Sequence, residues 1–320
     1  MFWTRSDHQF SIIQVQDADG GTGVRIVGLE ALGALFALTT AFAWAGGVIF
    51  FKRSGEYFSP IALNFFKNTV AFVLFLLTLP LIGQTLWIEG PWYDAAALVA
   101  SGAVGIGVAD TLFFRALNLL GASRSAVVEC GYTPAVVFFS VLFLGETLAT
   151  SDVIGALLII GSIFLAVEVG EGESGYSLEG LVLGVLSVVL MAWAVVMVKP
   201  LFEIYPVIWS TTLRMVGGLL GLALWVCVRP GAWKEVTAAF KPNRGWRHAL
   251  PGSIVGTYLA LMCWVAGFKY GTASVTAILN QTATIITVVL AAVFLKETLS
   301  RRQVGGALVA MAGCILVLVG

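Results

Sequence analysis

The chain of 320 residues is 59% hydrophobic and only 11% charged, with 18 basic residues matched by 18 acidic ones. A water-facing surface takes roughly 25% charged residues, so this composition excludes a soluble globular domain. The zero net charge gives no basic excess with which to hold nucleic acid, and what remains is a polytopic membrane protein.

Residues 1–27 are polar and rich in Gly and Asp. They lack the apolar core and cleavage site of a signal peptide, so a flexible tail is expected. Beyond it, apolar runs of about 20 residues recur, each long enough to cross a hydrocarbon core of roughly 30 Å as a helix. In chain order they fall near Gly28–Phe51, Ile61–Ile82, Asp94–Leu119, Ala122–Leu144 and Asp152–Val169. The acidic, glycine-rich segment Gly170–Ser177 reads as a linker. Five further runs follow near Leu178–Val198, Pro206–Val228, Ala249–Phe268, Thr272–Leu295 and Arg302–Val319. The most polar connection, Arg229–His248, separates the seventh run from the eighth.

The two sets of five are copies. Residues from Ala122 to Val167 align without a gap on the stretch from Ala273, at an offset of 297−146 = 151 that pairs Glu146 with Glu297, Thr133 with Thr284 and Gly155 with Gly306. Trp44 pairs with Trp193, and Lys52 and Lys67 pair with Lys199 and Arg214. The expected fold is therefore an all-α membrane protein of ten spans, with five in residues 28–169 and five in 178–320. An odd count per half makes the second copy enter the bilayer from the opposite side. Transporters use such inverted repeats to place a substrate near the midplane; a duplicated channel or non-transporting scaffold is the alternative.

A polar side chain inside hydrocarbon costs about 2.5–3.5 kcal/mol if it is charged, so those present point to function. Ser125, Glu129 and Thr133 recur every four residues, on one helix face, and the offset carries them onto Thr276, Asn280 and Thr284. Glu129 is the sharpest of them, suited to carrying a proton or facing a cationic group. Asn280 and Gln281 are suited to hydrogen bonds with a ligand or between helices. Asp110 lies deep in the third span and is a second candidate for proton or ion coupling. Arg115, nearer the span's end, is placed to snorkel to the interface. Trp44, Tyr132, Trp193 and Tyr258 are candidates for stacking on a ligand. Lys67 and Arg214 read as interface anchors. The turns at Glu146 and Glu297 are expected to cap the helix that follows each.

Other chemistry finds little support. His8 and His248 are the only histidines and fall outside the spans, so neither His-based catalysis nor a metal or cofactor site is expected. The cysteines at 130, 227, 263 and 314 have no CxxC spacing and read as small hydrophobes. Glycines at 102–107 and 217–221 suit close helix packing better than a nucleotide loop.

The patterns AWAGGVIFFK (Ala43–Lys52), FFRALNLLGASRSA (Phe113–Ala126) and the paired Glu-Thr-Leu turns resemble the EamA domains of the drug/metabolite transporter superfamily. That resemblance spans about residues 28–319. It implies a secondary carrier for a small organic metabolite such as an amino acid or related compound, often exported, in a bacterial inner membrane. Two positions depart from the pattern: Ile285 stands opposite Pro134, so the two halves should bend differently, and Lys296 replaces the glycine before the second glutamate. Topology pulls two ways. Connections after odd-numbered spans carry eleven cations against four on the other side, which by the positive-inside rule places both termini outside. The resemblance implies both inside, and a reporter fused after Gly320 separates these alternatives.

Overall fold

The computed structural model describes residues 15–16, 22–23, 27–86, 90–145, 150–166, 177–270 and 273–319. Within the expected tail, β1 (Val15–Gln16) pairs antiparallel with β2 (Thr22–Gly23); every other regular element described is a helix. The first half contains α1 (Val27–Ser54), α2 (Pro60–Leu81), α3 (Trp92–Leu120), α4 (Ala122–Phe143) and α5 (Thr150–Ala166). The second contains α6 (Leu178–Val196), a short α7 (Lys199–Ile204), α8 (Val207–Val228), a short α9 (Ala232–Ala239), α10 (Trp246–Gly267), α11 (Ala273–Phe294) and α12 (Arg301–Val319). Of the linker only Ser177 is among the described residues, and Glu146 lies outside them.

Among the described residues, seven helices are long and apolar enough to cross a bilayer: α1 to α4, α6, α8 and α10. The apolar stretches of α5 and α11, Val153–Leu165 and Leu279–Phe294, are shorter. Large apolar side chains such as Phe42, Leu77, Phe164 and Leu224 face outward, as a lipid-facing surface requires.

Most packing runs between the halves. α1 lies against α10 and α11, and the equivalent α6 lies against α3 and α4. α2 contacts α10, and its equivalent α8 contacts α3. Equivalent helices also meet directly, in the pairs α2–α8, α4–α11 and α5–α12. The pairing scheme is unchanged when the halves are exchanged. A further match lies inside α3 and α10, each of which widens into a π-helical turn, at Ala103–Ala109 and Ser253–Leu259.

Glycine sets how closely these helices approach. A Cβ on Gly47 of α1 would lie 2.3 Å from the Gly256 Cα in the α10 π turn, and one on Gly217 of α8 would lie 1.8 Å from the Val99 carbonyl oxygen. Backbone contact of this kind drives helix association in lipid, where burying apolar side chains gives no advantage over lipid contact.

The halves differ where the sequence departs from the repeat. Pro134 has no N–H to bond the Cys130 carbonyl. α4 breaks there into Ala122–Glu129 and Tyr132–Phe139, joined by tight bonds from Cys130 N to Val127 O (3.1 Å) and Gly131 N to Val128 O (3.0 Å). α11, with Ile285, runs unbroken. At the ends of these helices Gly145 has φ 69° and Lys296 has φ 56°. Lys296 thus takes the left-handed conformation that glycine adopts without strain.

Gly47→Leu is expected to lower stability by about 1–3 kcal/mol through overpacking, read as a lower melting temperature in detergent. Lys296→Gly is expected to raise stability by about 1 kcal/mol by relieving backbone strain; an unchanged or lower melting temperature contradicts that.

Candidate functional site

The polar residues of α2 follow the periodicity of one helix face: Asn64, Lys67 and Asn68, all buried. They pack on the π turn of α3, where the change in hydrogen-bond register leaves carbonyls without their usual partners. Asn64 Nδ2 donates to the carbonyls of Ile106 (2.8 Å) and Gly107 (3.1 Å) and to Thr111 Oγ1 (2.9 Å). Asn68 Nδ2 donates to Asn64 Oδ1 at 2.8 Å. Lys67 Nζ donates to Asp110 Oδ2 at 2.6 Å and to Asn68 Oδ1 at 3.2 Å, and sits 5.4 Å from the Phe114 ring centroid. Lys67 is therefore no interface anchor. It is 4% exposed and neutralises Asp110 inside the bundle.

Arg214, its counterpart in α8, also turns inward. Its Nε donates to Ser101 Oγ at 3.1 Å, its guanidinium lies 5.7 Å from the Phe202 ring, and it is within electrostatic reach of Tyr132 and Asp110. The second half has no acid in the place of Asp110; Leu261 stands at the 151 offset. Arg115 does reach the exterior, where it pairs with Glu179 of α6.

The break in α4 divides the expected stripe. Ser125 and Glu129 precede the break and line a narrow recess with Phe113 and Ala116 of α3 and Gly184 and Val188 of α6. Trp44 of α1 packs on Phe113, in the wall of this recess, with ring centroids 6.2 Å apart. The Ser125 hydroxyl is buried without a partner among the described residues. Two polar side chains of α4 thus face an otherwise apolar recess, one of them with hydrogen-bonding capacity to spare.

Thr133 follows the break and faces the other half directly. It accepts a hydrogen bond from Gln281 Nε2 at 3.0 Å and lies 3.9 Å from Cys314 Sγ. Cys130 Sγ lies 3.2 Å from Thr284 Oγ1. The 151 offset exchanges Cys130 with Gln281 and Thr133 with Thr284, so the two contacts are copies of one another. At this level the matched edges bond to each other and leave no open lumen between them.

Asn280 occupies the position of Glu129 in α11. Both polar atoms of its amide are buried without a partner among the described residues, and a buried amide left unbonded is costly. The Thr276 side chain is outside the described residues. Trp193 is half-buried in α6. Tyr258 joins a different cluster, with its hydroxyl 2.6 Å from Thr78 Oγ1 and its ring edge-on to Phe75.

Sequence reasoning missed the α2 triad, although Asn64, Lys67 and Asn68 show the same one-face signature that singled out α4. It also mistook the target of Glu297. That carboxylate accepts from Ala122 N at 2.7 Å and Ser123 N at 3.1 Å, so it caps α4 in the first half. The helix that follows it, α12, has its own reciprocal cap, with Ser300 N bonded to Gln303 Oε1 and Gln303 N to Ser300 Oγ.

Comparison with known proteins agrees with this arrangement. The sequence profile of the EamA-like transporter family matches residues 31–167 and again 178–319. An uncharacterized transporter of Archaeoglobus fulgidus is 24% identical over 287 residues, covering 89% of this chain and 97% of that protein. A solved crystal structure superposes with a TM-score of 0.64 at 17% identity, over 90% of this chain and 96% of that one, which shows a shared fold.

Lys67→Met leaves Asp110 without its counter-charge and is expected to cost about 3–5 kcal/mol. Combining it with Asp110→Leu should recover most of the loss. Melting temperatures of the single and double variants in detergent check this; a double variant as unstable as the single contradicts the pairing.

Proposed function

The chain belongs to the EamA-like transporter family, and from that premise we propose that it is a secondary carrier of ten spans, built as two inverted five-helix repeats that alternate access to a site between them. Support for the inverted plan comes from the pairing scheme, which survives exchange of the halves, and from the matched π-helical turns in α3 and α10. The cargo is a small organic metabolite such as an amino acid or related compound, moved outward across a bacterial inner membrane.

One observation carries the site assignment. Glu129 sits in a recess walled by α3, α4 and α6, beside a Ser125 hydroxyl that has no partner among the described residues. Asn280, its copy in the other half, likewise has no partner for its amide among the described residues. Buried hydrogen-bonding groups without protein partners are groups that a ligand can satisfy. The recess is shut in this conformation, as an occluded stage of alternating access requires.

Roles follow from the surroundings. Glu129 has no ion-pair partner among the described residues, so it is assigned to exchange a proton or to face a cationic group of the cargo. Asp110, held by Lys67, is the second residue assigned to proton or ion coupling. Trp44, Trp193, Tyr132 and Tyr258 are assigned to stack on the cargo as it passes, Trp44 and Trp193 from equivalent positions of the two repeats. Thr133, Gln281 and Thr284 join the halves, and Thr276 is assigned with them from its place in the repeat.

Thermal-shift screening of metabolites on purified protein identifies a cargo, and liposomes then measure its flux. Saturable uptake with counterflow is expected. Glu129→Gln should cut coupled flux at least tenfold, and Asn280→Ala should raise the half-saturation concentration severalfold. Intact flux in both variants, or flux without counterflow as a channel gives, would count against the proposal.

A further inference from the structure

Four helix ends meet at one corner of the molecule, where α1, α3 and α11 finish and α4 begins. Helix ends leave unbonded N–H and C=O groups, and three of the ends here, those of α3, α11 and α4, are served by a side chain from another element. Lys52 Nζ, from α1, donates to the last carbonyls of α3, Leu117 O and Asn118 O, at 3.0 Å each. Arg53 Nη2 donates to Phe294 O at the end of α11, at 2.7 Å. Glu297, from the connection after α11, closes the start of α4. Its Oε1 accepts from Ala122 N at 2.7 Å, and its Oε2 accepts from Ser123 N at 3.1 Å and Ser123 Oγ at 2.7 Å.

The backbone on both sides is shaped for this contact. Gly121 has φ 84°, and a Cβ there would lie 2.8 Å from Glu297 Oε1. On the other side Lys296 is the one non-glycine residue with positive φ among the described residues. An outlier of this kind is a pointer to function. Two other helix starts use ordinary local caps: Ser177 Oγ accepts from Gly180 N at the start of α6, and Ser300 with Gln303 serves α12. A helix that needed only to be finished could use the same device. α4 is instead capped from the other half, and it is the helix that carries Ser125 two residues, and Glu129 six residues, beyond Ser123.

We propose that Glu297 is a positioning residue for transport: its cross-half cap clamps the first turn of α4 and seals the Ser125–Glu129 recess at this end, and cargo passes this end only when the cap lets go. The proposal rests on the transporter reading for its purpose, but its test does not use a cargo.

The test uses the full-length protein in oriented liposomes, with its four cysteines replaced by alanine and Ser125→Cys as a reporter. A membrane-impermeant methanethiosulfonate reagent is added from one side at a time. With Glu297 in place, labelling should be slow from both sides. Adding Glu297→Gln should speed it at least tenfold from the Glu297 end and leave the opposite side unchanged, while Glu297→Asp should fall between the two. An unchanged rate overturns the proposal. So does an equal rise from both sides, which would mark general loosening and a cap that is merely structural. Should Glu297→Gln fail to fold, Ser123→Ala removes one of the three bonds, and the expected result is about a threefold one-sided rise; no rise overturns the proposal equally. A labelling failure leaves the carrier assignment standing, whereas absent counterflow with the one-sided labelling intact removes the carrier assignment alone.

Discussion

The ammonium of Lys67 and the carboxylate of Asp110 are held together inside the bundle, the ammonium almost fully buried. Either ion alone would carry a desolvation cost that no single contact offsets, and an attractive pair is tolerable only when its remaining donors and acceptors are also filled. The structure meets that condition through Asn68 on the ammonium and Asn64 on the neighbouring backbone. It also explains how α3 can hold a widened turn without leaving carbonyls bare, because the Asn64 amide takes over bonds that the π register gives up. The ion pair, the amide pair and the turn therefore depend on one another, and the recess at Glu129 is built against the helix they fix.

The same demand for internal satisfaction governs how the halves are joined. Their closest contacts are of two kinds: backbone on backbone at glycines such as Gly47 and Gly256, and short polar bonds such as Gln281 to Thr133. Neither depends on burying apolar area, which lipid would bury equally well. Apolar clusters also cross the seam, as where Phe51, Phe66 and Phe114 share a core with Leu222 and Val226.

Much of this was legible beforehand. The alternation of apolar runs and the 151-residue offset gave the helix order, because a duplication leaves equivalent residues at equal spacing whatever the fold. Ser125 and Glu129 stand out by the cost of polar groups in hydrocarbon, and both line one recess. Partnership was harder to read. Glu297 acts 175 residues away and Lys67 acts 43 residues away, and no local pattern states which distant helix a side chain will meet. The break in α4 could be suspected from Pro134, yet its effect, turning Thr133 away from Glu129 towards α11, depends on the fold around it.

Two identical repeats with opposed threading would give a carrier whose inward-open and outward-open forms were related by a rotation and equal in free energy. The kink at Pro134, with nothing to match it at Ile285, breaks that symmetry, as does an acid–base pair possessed by one repeat alone. In the proposed carrier cycle the two orientations would therefore differ in free energy, a bias that a driving gradient would work with or against.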